Sequence, residues 1–341
     1  MTDLQGKTIL TGVKPTGKLH FGNYAGAIKP AVELGHAVNH QGGRHIMFVA
    51  DYHAINAIKD APLLKQLTRE IACAYLACGL NPNESYFYKQ SDVPELLELT
   101  TILMAYTPKG FMNKAHAYKA AVDKNIARGE PNDAGINMGL YTYPVLMAAD
   151  ILAYDTDLVP VGKDQIQHVE IAADIAGSIN AHYGHPVFKI PHYFTTEATE
   201  VVPGLDGRKM SKSYNNVIPL FADDATLKKA VMSIKTDCQD INAPKNPDEI
   251  LLFQILRGIA PADTVAQVRE GLEKGGLGYG TIKKILLQAL LDEIADKRDK
   301  YNDYLAHYDV VEDMLATGAR RAREIARPVL ERAKDAIFCR K

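Results

Sequence analysis

The chain of 341 residues is 47% hydrophobic and 23% charged, with a formal net charge of −2 at pH 7; this suits a globular protein with room for two cores and argues against one that coats nucleic acid indiscriminately. Cys73, Cys78, Cys238 and Cys339 are too few and too scattered for a secreted disulfide framework or paired zinc-ligand motifs, so reduced thiols in a cytoplasmic protein are expected. Met1-Thr2-Asp3-Leu4-Gln5 lacks the basic and apolar regions of a signal peptide and no apolar run of about 18 residues follows, so neither export nor a membrane span is expected.

Apolar, β-branched runs at Lys7–Val13, His45–Ala50, Ser85–Tyr88 and Leu158–Val161 read as buried strands. Helical periodicity predicts helices over Asn23–Leu34, Ala61–Leu80, Glu95–Ala105, Met138–Tyr154 and Asp164–Ile179. Strands alternating with helices imply a parallel sheet covered on both faces. Beyond about Asn216 the strand signal ends. Helices are predicted there at Ala225–Ile234, Pro247–Gly258, Pro261–Lys274, Thr281–His307 and Val311–Phe338, and Pro328 should kink or divide the last of them. The fold class is therefore α/β: a Rossmann-type parallel-sheet domain over residues 1–216, then an all-helical domain over 217–341. A polar loop, Pro203–Asn216, lies at the seam. Ligands of such sheets bind beyond the carboxyl ends of the strands. The chain closes on a basic run, Arg320, Arg321, Arg323, Arg327, Arg332, Lys334, Arg340 and Lys341 against Glu324, Glu331 and Asp335. Such a run is either a phosphate-contacting face or, more commonly, a solvated helix face.

Two segments carry phosphate chemistry. The first strand runs into Pro15-Thr16-Gly17-Lys18-Leu19-His20-Phe21-Gly22-Asn23, a Gly-containing loop that opens a helix. Backbone N–H groups and the helix dipole make an anion site there, Gly22 admits a flat base, and His20 can donate to phosphate oxygens. It is neither a Walker loop nor the dinucleotide fingerprint, and a turn with a packed histidine is the simpler account of these residues alone. Lys209-Met210-Ser211-Lys212-Ser213 is sharper, since a specified pentapeptide arises by chance in roughly one chain of this size in ten thousand. Two lysines three apart on a loop can close over a triphosphate and meet the charge that develops as it is cleaved.

Together, His-Phe-Gly-Asn and Lys-Met-Ser-Lys-Ser resemble the paired signatures of the class I aminoacyl-tRNA synthetases, and the resemblance covers nearly the whole chain. It implies that ATP, accompanied by Mg2+, is held by Lys14, Thr16, His20, Gly22, Asn23, Lys119, Gly162, Asp164, Lys209, Met210, Ser211 and Lys212. His20, Lys209 and Lys212 would stabilise the departing pyrophosphate.

The amino acid is read from Leu140–Leu152. As a helix this stretch puts Tyr143, Met147 and Asp150 on one face, and a carboxylate ending an apolar stripe is costly without a partner, by default a lysine or a backbone amide. The stretch resembles the pocket helix of the tryptophan-specific branch of the family, where the methionine packs on the indole and the aspartate accepts its N–H. The tyrosine branch has glutamine in place of Met147. Gly162-Lys163-Asp164-Gln165 resembles the family's Gly-x-Asp-Gln turn, which implies Gln165 on the substrate amino group and Asp164 on the ribose, although Asp164 also suits a helix N-cap. Asp51-Tyr52-His53-Ala54 resembles Asp-x-His-Ala and implies His53 near the substrate carboxylate, with a satisfied loop histidine the even alternative. Leu10 would line the indole pocket. Lys14, His20, Leu10 and Tyr214 stand where the family usually has glutamine, threonine, an aromatic residue and aspartate.

The resemblance implies a two-step reaction. L-Tryptophan and ATP give tryptophanyl-adenylate and pyrophosphate, and the acyl group then passes to tRNA(Trp), without an enzyme nucleophile. It further implies a cytoplasmic homodimer built largely on Val93–Asp133 and an anticodon-reading helical domain.

Overall fold

The computed structural model describes residues 4–15, 17–195 and 202–339. Thr16, Arg340, Lys341 and the side chain of Asp164 lie outside the described residues. Five strands, β1 (Thr8–Val13), β2 (Arg44–Val49), β3 (Tyr86–Lys89), β4 (Leu158–Pro160) and β5 (His192–Phe194), form one parallel sheet in the order β3-β2-β1-β4-β5. β1 and β2 run in register from Thr8 opposite Arg44 to Val13 opposite Val49. The sheet is buried on both sides. Along β2, Ile46 and Phe48 join one core with Leu10 and Tyr88, whereas Met47 and Val49 join another with Phe87. That is why the strands read as unbroken apolar runs. β5 escapes sequence reading because it is a short edge strand whose His192 and Tyr193 are exposed.

The connections are helical. Between β1 and β2 lie α1 (Phe21–Asn23), a π turn (Tyr24–Ile28) and α2 (Lys29–His40). α3 (Asp51–Ala54) and α4 (Ala61–Ala77) lead to β3. α5 (Glu95–Tyr106), α6 (Lys109–Met112), α7 (His116–Ala127) and α8 (Met138–Leu152) lead to β4, and α9 (Ile166–Tyr183) leads to β5. Side-chain caps set several of the starts: Asp60 accepts from the Leu63 N–H and Asn137 from the Leu140 N–H, both at 2.9 Å, satisfying donors that a helix start leaves open. Gly184, at φ 70°, ends α9 in the left-handed conformation.

The rest is helical: α10 (Asp224–Met232), α11 (Leu251–Arg257), α12 (Ala262–Lys274), α13 (Tyr279–Ala306) and α14 (Tyr308–Phe338). Pro328 does not divide α14, which runs unbroken through it; the packing of both halves of the helix outweighs the backbone bond that proline forfeits. Val311 and Leu315 pack in the core shared with α13 and α4, whereas Ala322, Ala326, Val329 and Leu330 pack in the core shared with β3 and α5.

Most of the described cations of the basic run on α14 find partners within the chain, while Arg320 and Arg327 stay largely exposed. Arg323 and Arg327 reach Glu95 at 3.0 and 2.8 Å. Lys334 reaches Glu98 at 2.9 Å, and Arg332 donates to the Val187 carbonyl at 2.7 Å and to Asp155 at 3.1 Å. Arg321 donates to the Pro82 carbonyl at 3.0 Å and lies over the Tyr86 ring. Charge thus latches the last helix onto the α/β half. Among the described residues, no helix is long and apolar enough to cross a membrane.

β1 has β2 on one side and β4 on the other, so the chain reverses its direction of winding there. In sheets of this kind ligands bind beyond the carboxyl ends of the strands at such a point.

Candidate active site

The Val13 carbonyl at the end of β1 accepts the Ala50 N–H at 2.8 Å. The loop leaving β1 and the short helix α3, which carries His53, therefore start side by side. Lys14 is exposed at the beginning of that loop. His20 is 8% exposed and bridges to Pro219. Asn23 spends its side chain on the turn itself, accepting the His20 N–H at 3.1 Å. The Phe21 N–H donates to the Ile218 carbonyl at 2.8 Å and the Leu220 N–H to the Leu19 carbonyl at 3.2 Å. These bonds stitch the turn to the strand-like segment that follows the lysine loop.

The loop itself reaches the turn. Met210 is buried, and its Sδ accepts the Gly22 N–H at 3.2 Å. A Cβ on Gly22 would come within 3.1 Å of His20 Nδ1 and 3.3 Å of Met210 Cβ, so only glycine fits without displacing a neighbour. The Lys212 ammonium lies against Gly17. Burial, and then the charge of Lys212, lower the His20 pKa to about 4. His20 is therefore a neutral imidazole at pH 7, and its buried Nδ1 has no hydrogen-bond partner among the described residues. A neutral imidazole can donate one N–H to an anion. Lys209 is exposed on the other side of the loop and lines a cleft of about 430 Å³ with Gln254 and Arg257 of α11.

The second part of the site is built on a carboxylate. Asp150, on α8, is 0% exposed. It accepts from His53 Nε2 at 2.9 Å and from Gln90 Nε2 at 2.8 and 2.9 Å. Facing a carboxylate, Nε2 of His53 carries the ring proton. Burial raises the Asp150 pKa, and the donors His53 and Gln90 offset that only in part. Asp51 fixes this corner: it accepts the Ser91 N–H at 3.0 Å and the Ser91 hydroxyl at 2.5 Å, tying the start of α3 to the end of β3.

Leu10, 3% exposed, and the half-buried Met147 belong to the apolar cluster on this face of the sheet. Tyr143 meets the His53 ring edge-on with centroids 6.1 Å apart, and its hydroxyl is hydrogen-bonded to His168 Nε2. Gln165 starts α9, its N–H donating to the Gly162 carbonyl at 2.9 Å. α7 is anchored beside this turn, since the His116 N–H donates to Gln167 Oε1 at 2.8 Å. Lys119, one turn further along α7, is exposed and makes no ion pair among the described residues.

Gln90 and His168 escaped the sequence reading. An isolated glutamine after a strand carries no pattern; its position at the carboxyl end of β3 was the available signal. His168 follows Gln165 by one helical turn, which puts it on the same side of α9. Among the described residues no cluster of His, Cys, Asp and Glu could hold a metal ion.

Residues 5–285 match the family described as tRNA synthetases class I (W and Y). The chain belongs to this class I synthetase family. This synthetase is 44% identical over 335 residues to the Tryptophan--tRNA ligase of Neisseria meningitidis, covering 98% of each chain. It is 46% identical over 334 residues to that of Pseudomonas putida, covering 97% of this chain and 74% of the relative. Among solved structures it is similar to tryptophanyl-tRNA synthetase from Campylobacter jejuni complexed with ADP and tryptophane, with a TM-score of 0.86 and 41% identity over 97% of this chain and 99% of that one. The Mycoplasma pneumoniae synthetase gives a TM-score of 0.78 at 28% identity, with 98% of each chain covered.

Proposed function

We propose that the crevice activates L-tryptophan with ATP and that the enzyme then charges tRNA(Trp), releasing AMP and pyrophosphate. The observation that carries this reading is the seating of the lysine loop on the phosphate turn, Met210 on Gly22, beyond the end of β1, beside the start of the helix whose His53 meets the buried Asp150. In the first step the tryptophan carboxylate attacks the α-phosphorus in line. Mg2+ enters with the nucleotide as part of the substrate. In the second step the 3′-terminal ribose hydroxyl of tRNA takes the acyl group. No enzyme nucleophile is needed, because alignment and fixed charges lower the barrier.

In this reading His20 donates a neutral N–H to a phosphate oxygen, while Lys209 and Lys212 offset the charge gathering on pyrophosphate. Lys14, Thr16, Gly22, Lys119, Gly162, Asp164, Met210 and Ser211 complete the nucleotide site, and Asn23 serves it by holding the turn. Asp150 accepts the indole N–H. Leu10 and Met147 supply apolar walls, and His53, Tyr143 and Gln165 surround the polar end of the amino acid.

The helical region over 217–341 reads the anticodon, and residues 93–133 form much of a homodimer interface. The dimer is supported by exposed large apolar side chains within this segment, Leu97 and Met104 on α5 and Ile126 on α7. The enzyme works in the cytoplasm, where tRNA is charged.

The test is ATP–pyrophosphate exchange with tryptophan, tyrosine and phenylalanine in turn. Exchange driven by tryptophan is expected, and exchange driven by tyrosine alone overturns the reading.

A further inference from the structure

The lysine loop takes its shape from a residue outside its own motif. Asn216 is 2% exposed. Its Oδ1 accepts the Ser211 N–H at 2.8 Å, and its Nδ2 donates to the Lys209 carbonyl at 3.2 Å. One amide therefore holds the backbone on both sides of Met210. The same Nδ2 donates to Asp206 Oδ1 at 2.7 Å, and the Asn216 carbonyl accepts the Leu205 N–H at 2.9 Å, so both arms of the loop converge on this residue. Gly204 makes room for it: a Cβ there would fall 2.3 Å from Asn216 Nδ2.

The partner of the amide is held as firmly. Asp206 accepts from Arg208 Nε at 2.7 Å, and the Arg208 guanidinium lies 4.3 Å from the centre of the Tyr214 ring. The Asn216 amide, and then Arg208, hold the Asp206 carboxyl at about 2, so it remains an acceptor throughout the working pH range. Only an amide offers an acceptor for Ser211 and donors for Lys209 and Asp206 at once. An aspartate of the same shape keeps the first bond, loses the donors and sets a second carboxylate beside Asp206.

We propose that Asn216 is a positioning residue for phosphate chemistry, its side-chain amide locking the backbone at Lys209 and Ser211 so that Met210 seats on Gly22 and the lysines meet the nucleotide. This rests on the reading of the loop lysines as phosphate partners. Asn216 touches no substrate and acts through the loop, and small misplacements of such groups are expensive in rate, on the order of 10²-fold for about 1 Å.

The test is Asn216→Asp in the full-length enzyme, followed by tryptophan-dependent ATP–pyrophosphate exchange, thermal unfolding and amide hydrogen exchange over residues 203–216. The expected result is a fall in kcat of roughly 10²-fold with the KM for tryptophan unchanged and fast exchange of the Ser211 amide. Adding Lys212→Ala should then cost little more, because the lysine is already misplaced. Adding Asp206→Asn instead, which gives the pair one amide and one carboxylate again, should restore about a tenth or more of the lost rate. A wild-type kcat in Asn216→Asp, or a Ser211 amide that stays protected, overturns the proposal. So does a loss of activity that the Asp206→Asn exchange leaves wholly unrepaired. If Lys212→Ala alone leaves exchange at the wild-type rate, the assignment of the lysines fails, and Ser211 protection still decides the role of Asn216.

Discussion

The backbone N–H of Gly22 donates to Met210 Sδ at 3.2 Å, joining two segments 188 residues apart in sequence. A thioether is a weak acceptor for an amide at a helix start, and a phosphate oxygen is a much stronger one. Gly22→Ala would push a methyl group between His20 and Met210 and lift the loop from the turn. The KM for ATP should rise and kcat fall, by roughly tenfold or more in kcat/KM. Exchange kinetics at varied ATP check this, and unchanged constants would remove the contact from the catalytic account.

Asp150→Asn keeps the shape of the carboxylate but not its charge, so His53 and Gln90 face an amide. The KM for tryptophan should rise roughly 10- to 100-fold, the value of a hydrogen bond to a charged group, while the KM for ATP at saturating tryptophan stays near its original value. A wild-type KM for tryptophan would move the indole site elsewhere.

His20 yields a pH prediction. Its folded pKa of about 4 lies below the ordinary 6.5. Between those values the unfolded chain binds a proton that the folded chain refuses, so the stability His20 contributes is complete above 6.5 and is lost as pH falls through about 4. Replacing it by asparagine should flatten the stability curve over that window. Binding of an ATP analogue should raise the His20 pKa, since a nearby phosphate favours the imidazolium. Histidine NMR titration with and without the nucleotide reads both pKa values, and an apo value near 6.5 contradicts the prediction.

Glu95 accepts from both Arg323 and Arg327, which outweighs the effect of its burial and holds its pKa below the ordinary carboxylate value. Glu95→Gln should destabilise the enzyme by about 1–2 kcal/mol, a part-exposed charged hydrogen-bond pair. The wild-type advantage should shrink in acid as the carboxyl protonates. Denaturant unfolding of both proteins at pH 7 and pH 4 measures the difference, and equal stabilities at pH 7 would show that the Glu95 pairs contribute nothing to the latch.

How much of this could be read in advance depends on the range of the interaction. Strands buried on both faces write themselves as continuous apolar runs, and β1 to β4 were legible for that reason. β5 was not, because an exposed edge of three residues leaves no such run. Asp150 could be singled out as a buried acid on an apolar helix face, but its partners could not: His53 is 97 residues away in the chain and Gln90 is 60. The charges at the end of the chain were visible as well. Their destination was not, since no local pattern distinguishes an arginine that faces water from one that faces Glu95 across the fold.

The return of α14 across β3 and α5 also bears on how the enzyme is made. Ala322, Ala326, Val329 and Leu330 complete an apolar face whose other members, such as Leu10, Phe48 and Leu99, are translated hundreds of residues earlier. Until that late segment clears the ribosome, β3 and α5 lack the helix that packs against them. A chain cut short before α14 would therefore leave the apolar residues of β3 and α5 that this helix covers open to water.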